Sequence, residues 1–396
     1  MSASLPFLDL SNPDFSTRSV EVTNARARHW CARTPFGLAV LRHREVGLLL
    51  RDKRLRQGSH AWPDTNGFTG SFAEFWKRSV ISLEGAEHKA LRQLAVQALE
   101  AEFVASLKPA FTDIAQAQVG HLSRYNSGEF MQEFAIPFAG KAICVLMGVP
   151  VADWQSIAQD ASDLGLAMGV DCRTHQPRFN TACDRLTELS RELIAAARAA
   201  PPTNTYTSRL VELFDGQSQF PEQALVDLMV ISIFGGVDTT RSQLGLAMTL
   251  FIDNLDQWEW LFENPDFTSQ AVEEIIRSRP TTTWATREAV CDFEFQGETI
   301  PMGTTLHMLV HASAQDPAIC DDPHFDITKR RKVHFGFGGG AHHCIGHQVA
   351  RTDIACALRA LNDRFERIEY AGLAEFLPDS GNTSPISLPL EFSPRL

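Results

Sequence analysis

Apolar residues recur at helical spacing along most of the chain, and strand-like alternation is confined to a few short stretches. The pattern predicts strands near 36–41 and within 284–309, and a short strand in the tail 378–390. Helices are predicted at the segments 46–51, 87–100, 111–122, 136–147, 188–200, 221–254 and 346–365, with a short helix after Thr268. The expected fold class is therefore mainly α with small β-sheets.

The longest predicted helix begins at Pro221, because proline is well placed in a first helical turn, and no other proline follows until Pro265. Its apolar run, 225–236, is too short to span a bilayer and so predicts a buried helix. Gly235 and Gly236 lie in the middle of this helix, where each glycine costs about 1 kcal/mol relative to alanine. Such a weakness usually has a packing or functional reason.

Composition and charge narrow the class of protein. The 396 residues include 44% hydrophobic residues, enough for a large buried core, and no repeat or linker divides them, so we expect one large domain over residues 1–396. The formal charge of −12 disfavours nucleic acid and membrane surfaces as partners. The first residues lack a basic segment followed by an apolar one, and the eight cysteines include no CxxC pair. Both features favour a cytoplasmic protein with free thiols.

The strongest chemical signal is the glycine-rich segment from Phe337 to Gly346, which contains Cys344. Glycine has no side chain and accepts positive φ, so such a loop can approach a flat cofactor closely. Cys344 lies just before the predicted helix 346–365, and a helix N-terminus favours a thiolate over a thiol. A thiolate in that setting is a ligand for a soft or borderline metal.

Two other interpretations fit this loop when it is taken alone. It could be an ordinary glycine-rich turn with a buried cysteine, or His342, His343 and Cys344 could belong to a zinc site. Zinc would need further ligands at typical spacing, such as a CxxC pair, and the sequence contains no such pair.

The segment resembles the haem-binding loop of the cytochrome P-450 family, whose pattern is Phe-Gly-x-Gly-x-His-x-Cys-x-Gly. Its fixed positions are matched by Phe337, Gly338, Gly340, His342, Cys344 and Gly346. The family often continues with Leu-Ala-Arg, and this chain has Val-Ala-Arg at 349–351, a conservative departure. The resemblance implies the cytochrome P-450 fold and bound haem b (iron protoporphyrin IX), with Cys344 as the axial ligand of the iron and Phe337 and Gly338 at the cofactor.

The glycine pair of the long helix belongs to a second motif, 235–240, which resembles the family's oxygen-activation motif. There Thr239 would hold the distal oxygen or a water by a hydrogen bond, and Asp238 would relay protons from solvent. The glycine pair would leave room for oxygen. Taken alone, the same residues also fit a purely structural helix whose threonine hydroxyls bond back to its own carbonyls.

Two ionic motifs follow the family pattern as well. Glu274 and Arg277 are spaced i,i+3 and so share one helix face. Taken alone, such a pair is usually a surface salt bridge, but here it matches the family's buried structural Glu-x-x-Arg pair. Two propionates inside a protein need paired cations and hydrogen bonds. Four residues resemble the family's ligands for the haem propionates, namely His88, Arg92, Arg287 and His342.

The resemblance implies a monooxygenase that activates O2, with the thiolate favouring cleavage of the O–O bond. No residues remain for a fused flavin or nicotinamide module, so electrons are expected from a ferredoxin and a ferredoxin reductase. The basic run 329–332 lies just before the ligand loop. It could attract an acidic partner, or it could be an ordinary solvated loop.

The resemblance also indicates where a substrate would bind. The candidate pocket residues are Phe72, Trp76, Phe234, Gly235, Thr283, Trp284 and Thr383. Their aromatic side chains favour a small apolar or aromatic substrate, although several of them could equally be ordinary core residues.

Two further functions stay open from the sequence. One is a peroxide-driven haem-thiolate enzyme, in which a proton relay such as Asp238 and Thr239 can be bypassed. The other is a non-catalytic haem-binding protein, which would hold haem without forming a substrate-dependent product.

Overall fold

The computed structural model describes residues 5–169, 171–217 and 219–395, and these are mostly helical, as predicted. The α-helices are α1 (Val20–Arg28), α2 (His43–Leu49), α3 (Trp62–Asn66), α4 (Ser71–Arg78), α5 (Gly85–Ala98), α6 (Ala101–Leu122), α7 (Ile136–Met147), α8 (Trp154–Gly165), α9 (Gln176–Ala199), α10 (Tyr206–Asp215), α11 (Glu222–Ile252), α12 (Leu255–Glu263), α13 (Thr268–Ser278), α14 (Val310–Ala314) and α15 (His347–Arg364). Short 3₁₀ turns, including Gly340–His342, connect some of them.

The strands form small sheets, also as predicted. They are β1 (Cys31–Thr34), β2 (Gly37–Val40), β3 (Leu55–Gln57), β4 (Ser127–Glu129), β5 (Trp284–Ala289), β6 (Phe293–Phe295), β7 (Glu298–Ile300), β8 (Thr305–Leu309), β9 (Phe365–Tyr370), β10 (Glu375–Phe376), β11 (Pro385–Ser387) and β12 (Pro389–Pro394). The largest sheet has the strand order β1-β2-β8-β5-β3. Strands β2 and β8 pair in parallel, and the other neighbouring strands pair antiparallel. The order β4-β12-β9 forms a second sheet, and β6-β7 and β10-β11 form two-stranded ones.

Two helices were predicted too short. The predicted helix 188–200 is the C-terminal half of α9, which begins at Gln176. The other prediction starts at residue 111, after Pro109, whereas α6 begins at Ala101 and continues through this proline. Proline removes a backbone donor and disfavours a helix interior. Here Phe103, Leu107 and Phe111 on both sides of it are buried, and their packing outweighs the local cost.

Helix α11 is the central helix of the fold. It spans 31 residues. Among the described helices it is the one long and apolar enough to cross a membrane, because its apolar stretch is longer than the predicted run 225–236. Its first half, up to Val237, packs in one hydrophobic cluster with Phe72 and Phe179. Its second half, from Leu244, packs in another cluster with Trp258. Because protein surrounds both halves, α11 is a core helix, as predicted.

The polar motif of α11 lies at the boundary between these two hydrophobic clusters. Thr240 and Gln243 are buried there, whereas Asp238 and Arg241 are only partly buried. A buried polar group needs a hydrogen-bond partner, and Gln243 finds one in the carbonyl of Arg279 at 2.9 Å. The boundary is therefore the place where α11 carries polar side chains without disrupting either cluster.

Glu274 and Arg277 of α13 form a buried ion pair, as the family pattern predicts, and not the surface pair that their spacing alone indicates. Arg277 donates to both carboxylate oxygens at 2.6 Å, and the two side chains are 2% and 1% exposed. Arg331 joins the pair at 3.4 Å, and Arg277 also donates to the carbonyls of Pro323 and His324. The network thus anchors the irregular chain that leads into the glycine-rich loop.

Removal of the acid from this network should be costly. In Glu274→Gln, Arg277 and Arg331 lose their counter-charge inside the protein, so we expect the free energy of unfolding in urea to fall by about 3 kcal/mol. The matched control is Glu369→Gln, which removes an exposed carboxylate paired with Arg367 at 2.8 Å and should cost less than about 1 kcal/mol. Equal losses in the two variants would contradict a stabilising role that depends on burial.

Candidate active site

The glycine-rich loop is held in one shape by its own backbone. Gly338 and Gly340 both have φ of +68°, a left-handed conformation that favours glycine. A Cβ on Gly340 would lie 2.1 Å from the carbonyl oxygen of Leu50, so the loop is pressed against the end of α2. The Cys344 amide donates to the carbonyl of Phe337 at 2.9 Å. These contacts place Cys344 just ahead of the first turn of α15.

Cys344 is exposed, yet partial desolvation by the surrounding protein raises the pKa of its thiol. The backbone at Gly346 and the charges of Arg92 and Arg351 lower the pKa by less. The thiolate expected from the helix N-terminus stays a prediction, and a metal bound at Cys344 would favour it, because a coordinating thiol is deprotonated.

Four groups from three parts of the chain meet at this loop. His88 of α5 stacks on His342 with ring centroids 4.1 Å apart. Arg92, one turn further along α5, donates to the carbonyl of His343. Arg287 of β5 donates to the carbonyl of Gly339 at 3.2 Å. The structure thus brings together the four side chains that the sequence predicts as propionate ligands.

Several of these four side chains lack an acidic or hydrogen-bond partner in the part of the chain that the structure describes. Among the described residues, neither Arg92 nor Arg287 has a carboxylate within ion-pair distance, and Nε2 of His88 is buried without a hydrogen-bond partner. Burial lowers the pKa of Arg287 to about 10, and burial together with the neighbouring His88 lowers that of His342 to about 4. A ligand that carries two carboxylates would supply the missing partners. The residues present therefore fit a haem with its two propionates.

Sequence reasoning missed two residues of this cluster, Glu84 and Gln57. The Glu84 carboxylate lies 3.0 Å from Nε2 of His342 and accepts from the Gln57 amide at 2.6 Å. The Gln57 side chain in turn accepts from Arg287 at 3.2 Å. Their sequence positions carry no motif of their own, since β3 brings Gln57 beside Arg287 only through sheet pairing.

On α11, the face that carries Gly235 and Thr239 borders open space. No atom lies within 4 Å of the position that a Cβ on Gly235 would take. Thr239, one turn later, donates its hydroxyl to the Gly235 carbonyl at 2.5 Å, which is the back-bonding that a purely structural motif also predicts. This bond leaves the lone pairs of the Thr239 oxygen available to accept a hydrogen bond.

Asp238 lies on the neighbouring face of α11 and reaches a different environment. Its carboxylate pairs with Arg241. A Cβ on Gly165, at the end of α8, would lie 3.4 Å from Asp238 Oδ1 and 3.5 Å from the ring of Phe234. Because Asp238 and Arg241 are only 17% exposed each, the pair lies between the protein surface and the interior.

The two predicted pocket segments that contain Thr283 and Thr383 do meet. The Thr383 amide donates to the Thr281 carbonyl at 2.7 Å, and the Thr281 hydroxyl donates to the Thr383 carbonyl at 2.8 Å. Thr283 accepts from the amide of Gly381 at 3.0 Å. The start of β5 and the tail turn are therefore one structural unit.

The structure does not support Phe72 and Trp76 as pocket residues. They are 0% and 2% exposed and belong to a hydrophobic cluster. The ring of Phe72 packs against those of Phe68 and Phe179, and Trp76 donates its indole N–H to the Ser59 carbonyl at 2.8 Å. The alternative, that these aromatic residues are ordinary core, fits the observed packing.

The prediction that Trp284 lines the pocket is wrong. Successive side chains of a strand point to opposite faces, so on β5 Trp284 lies opposite to Arg287, which contacts the glycine-rich loop. Trp284 packs instead against a hydrophobic cluster that includes Leu8 and Ala39, and its ring meets that of His307 edge-on at 5.6 Å. The pairing register of β5 decided which face of the sheet Trp284 occupies, and the sequence pattern did not reveal that register.

The zinc interpretation finds no support in the structure. Within 5–169, 171–217 and 219–395, no group of three or more histidine, cysteine, aspartate or glutamate side chains is placed to hold a metal ion. A single cysteine in a loop of backbone contacts is instead suited to a metal whose other ligands belong to a cofactor.

Comparison with known proteins identifies the family of this chain. The model of the family described as cytochrome P450 matches residues 168–371. The chain is 36% identical over 399 residues to the luteothin monooxygenase of Streptomyces thioluteus, covering 98% of this chain and 97% of that protein. It is 28% identical over 343 residues to the mycinamicin IV hydroxylase/epoxidase of Micromonospora griseorubida, covering 85% of this chain and 84% of that protein.

Solved structures show the same fold. The structure of CalO2 aligns with a TM-score of 0.86 at 24% identity, over 97% of this chain and 100% of that one. The structure of P450BioI in complex with an acyl carrier protein aligns with a TM-score of 0.85 at 23% identity, over 97% and 99%. With a family model over half of its length and a relative similar from end to end, the chain belongs to the cytochrome P450 family.

Proposed function

We propose that this cytochrome P450 monooxygenase binds haem b through Cys344, takes electrons from a ferredoxin and its reductase, and hydroxylates a largely apolar small molecule. The observation that carries the proposal is the loop of Cys344 beside two arginines, Arg92 and Arg287, that lack acidic partners among the described residues, and beside a buried, unpartnered Nε2 of His88. Family membership supports the cofactor and the class of reaction.

Haem b held by a thiolate supplies an oxidant able to attack C–H bonds. The protein's part is to bind and orient it. In the proposal His88, Arg92, Arg287 and His342 hold the propionates, while Phe337 and Gly338 lie against the porphyrin.

The residues of α11 handle protons in this proposal. Asp238, held by Arg241 near the surface, exchanges protons with solvent. The Thr239 hydroxyl, fixed by its bond to the Gly235 carbonyl, accepts a hydrogen bond in the open space beside Gly235. Two groups of this kind deliver protons at a controlled position, which supports O2 rather than peroxide as the natural oxidant.

The basic run 329–332 supports an acidic electron donor, although only two of its four cations lack an acidic partner among the described residues. Lys329 pairs with Asp322 at 2.5 Å and with Asp326 at 3.2 Å, and Arg331 belongs to the buried network of Glu274. The two remaining cations, Arg330 and Lys332, are exposed. In the proposal they attract the ferredoxin.

The substrate proposal draws on the pocket and on the relatives. Phe234 and Gly235 on α11 remain the candidate lining residues, and one of these two is aromatic. Thr283 and Thr383 are 2% and 9% exposed and their hydroxyls bond within the joined segments, so their proposed role is to fix the shape of the pocket wall. The relatives are named for the oxidation of luteothin and of mycinamicin IV. These two compounds are therefore the first to test.

We also place the protein in the cytoplasm in this proposal. All eight cysteines are free, and free thiols are typical of a reducing compartment. The long apolar helix α11 is used in the core, which supports a soluble protein.

Replacement of Cys344 should remove the thiolate signature. In Cys344→Ala, the reduced holoprotein under carbon monoxide should lose the red-shifted Soret band of a thiolate-ligated haem, because no other cysteine lies in the loop. The matched control is Cys291→Ala, which changes the other exposed cysteine and should keep the band. Retention of the band in Cys344→Ala would overturn the assignment of the ligand.

A binding screen should identify the substrate class. Luteothin, mycinamicin IV and other apolar compounds should convert the ferric holoprotein from low to high spin, because an apolar ligand that fills the pocket displaces the water on the iron. Hydrophilic compounds of equal size should leave the spectrum unchanged. A shift caused by the hydrophilic compounds alone would contradict an apolar pocket.

Neutralisation of the two exposed cations should slow electron transfer. In the double variant Arg330→Gln/Lys332→Gln, reduction of the haem by an acidic ferredoxin at low salt should slow by about tenfold or more, and its salt dependence should weaken. Peroxide-driven turnover should not change, since it needs no donor.

The matched control for this experiment is Lys329→Gln. It removes an equal charge that is already neutralised by Asp322 and Asp326, and it should have little effect on the rate. If the double variant is reduced as fast as the wild type, the proposed docking surface is wrong.

A further inference from the structure

Asp353 is a buried acid that the proposed function does not use. It lies on α15, the helix that follows Cys344, and it is 3% exposed. None of the described cations lies within ion-pair distance of it, and its Oδ1 is buried without a hydrogen-bond partner. A charged group in such a place would be very costly, so this residue needs an explanation.

Its other oxygen joins two helices. Asp353 Oδ2 lies 3.2 Å from the hydroxyl of Thr240 on α11, which is itself 3% exposed. Thr240 directly follows Thr239, the proposed oxygen-side hydroxyl. The bond therefore links the helix that carries the oxygen-side residues to the helix that begins beside the iron ligand.

The surroundings indicate that Asp353 is an uncharged carboxylic acid. Burial raises its pKa well above the ordinary value, and the bonds from the Ile354 backbone and from Thr240 lower it by less. A neutral acid can both donate and accept a hydrogen bond. It can thus hold the Thr240 hydroxyl without the cost of a buried charge.

Helix α11 needs such a fixed point at this position. Gly235 and Gly236 weaken the helix one turn earlier, and Thr239 bonds back to the Gly235 carbonyl, a contact that often bends helices. The two hydrophobic clusters that hold α11 lie on either side of this segment. The bond from Thr240 to Asp353 is a side-chain hydrogen bond that fastens the segment to α15, beside the apolar contacts of the second cluster.

We propose that Asp353 is a positioning residue which, through Thr240, holds α11 on α15 and so fixes the distance between Thr239 and the haem iron bound at Cys344. The inference rests on the proposed roles of Thr239 and Cys344 and concerns residues outside both. It explains why an acid is present where an apolar residue would be less costly to bury.

The test uses the holoenzyme and variants that break the bond from either side. Asp353→Ala and Thr240→Val should each shift the stretching band of carbon monoxide bound to the reduced haem in the same direction, because the oxygen-side hydroxyl moves. Product formed per NADPH consumed should fall by about three- to tenfold in each, the factor expected for one buried hydrogen bond. In the double variant the shift and the loss should be no larger than in either single variant.

Two further variants separate positioning from general destabilisation. Asp353→Asn keeps a group that can bond to Thr240 and should restore the wild-type band. The control Thr352→Val alters the adjacent residue, whose hydroxyl bonds only to its own helix at 2.9 Å, and should also leave the band unchanged. If Asp353→Ala does not fold, the nearly isosteric Thr240→Val carries the test alone.

The outcomes that overturn the proposal are specific. A wild-type band in Thr240→Val, or additive shifts in the double variant, would show that the bond does not position α11. A wild-type band in Thr239→Val would instead refute the proposed role of Thr239, and the two failures are therefore distinguishable.

Discussion

The buried ion pair between Glu274 and Arg277 is the interaction on which the position of Cys344, the proposed iron ligand, depends. The chain between α14 and α15 has little regular structure, so it cannot be held by backbone ladders. Arg277 and Arg331 instead bind its carbonyls, and Glu274 neutralises both cations. Because none of these charges can be left unpaired inside the protein without a large cost, the segment has one stable arrangement, and the glycine-rich loop begins from a fixed point.

The charge around that loop is positive, whereas the net charge of the whole molecule is negative. The chain carries a formal charge of −12, yet Arg92 and Arg287 lie beside the loop without acidic partners in the described residues. Glu84 is the one described carboxylate that contacts the group, through His342. This arrangement favours an anionic cofactor, because its carboxylates would supply the negative charges that these arginines lack in the described part of the chain.

Helix α11 faces a related conflict between burial and polarity. Both of its halves pack in hydrophobic clusters, but its middle carries the Asp238 carboxylate and the Thr239 hydroxyl, to which we assign the proposed proton relay. The fold resolves this by placing the motif at the boundary between two hydrophobic clusters, where Asp238 reaches Arg241 and Thr240 reaches Asp353. The glycine pair gives space for a ligand at the expense of helix stability, and the neighbouring contacts offset that weakness.

The sequence by itself determined the features that depend on local rules. Helical periodicity revealed α7 and α11, the glycine pattern revealed the left-handed turns around Cys344, and i,i+3 and i,i+4 spacings revealed the pairs Glu274–Arg277 and His88–Arg92. Only the tertiary structure decided the features that depend on distant neighbours. The register of β5 turned Trp284 away from the loop, aromatic packing enclosed Phe72 and Trp76, and helix contacts brought Asp353 to Thr240 and Glu84 to His342. These residues are far apart in the chain, and their partners follow from packing free energy summed over the whole core rather than from any pattern within a segment.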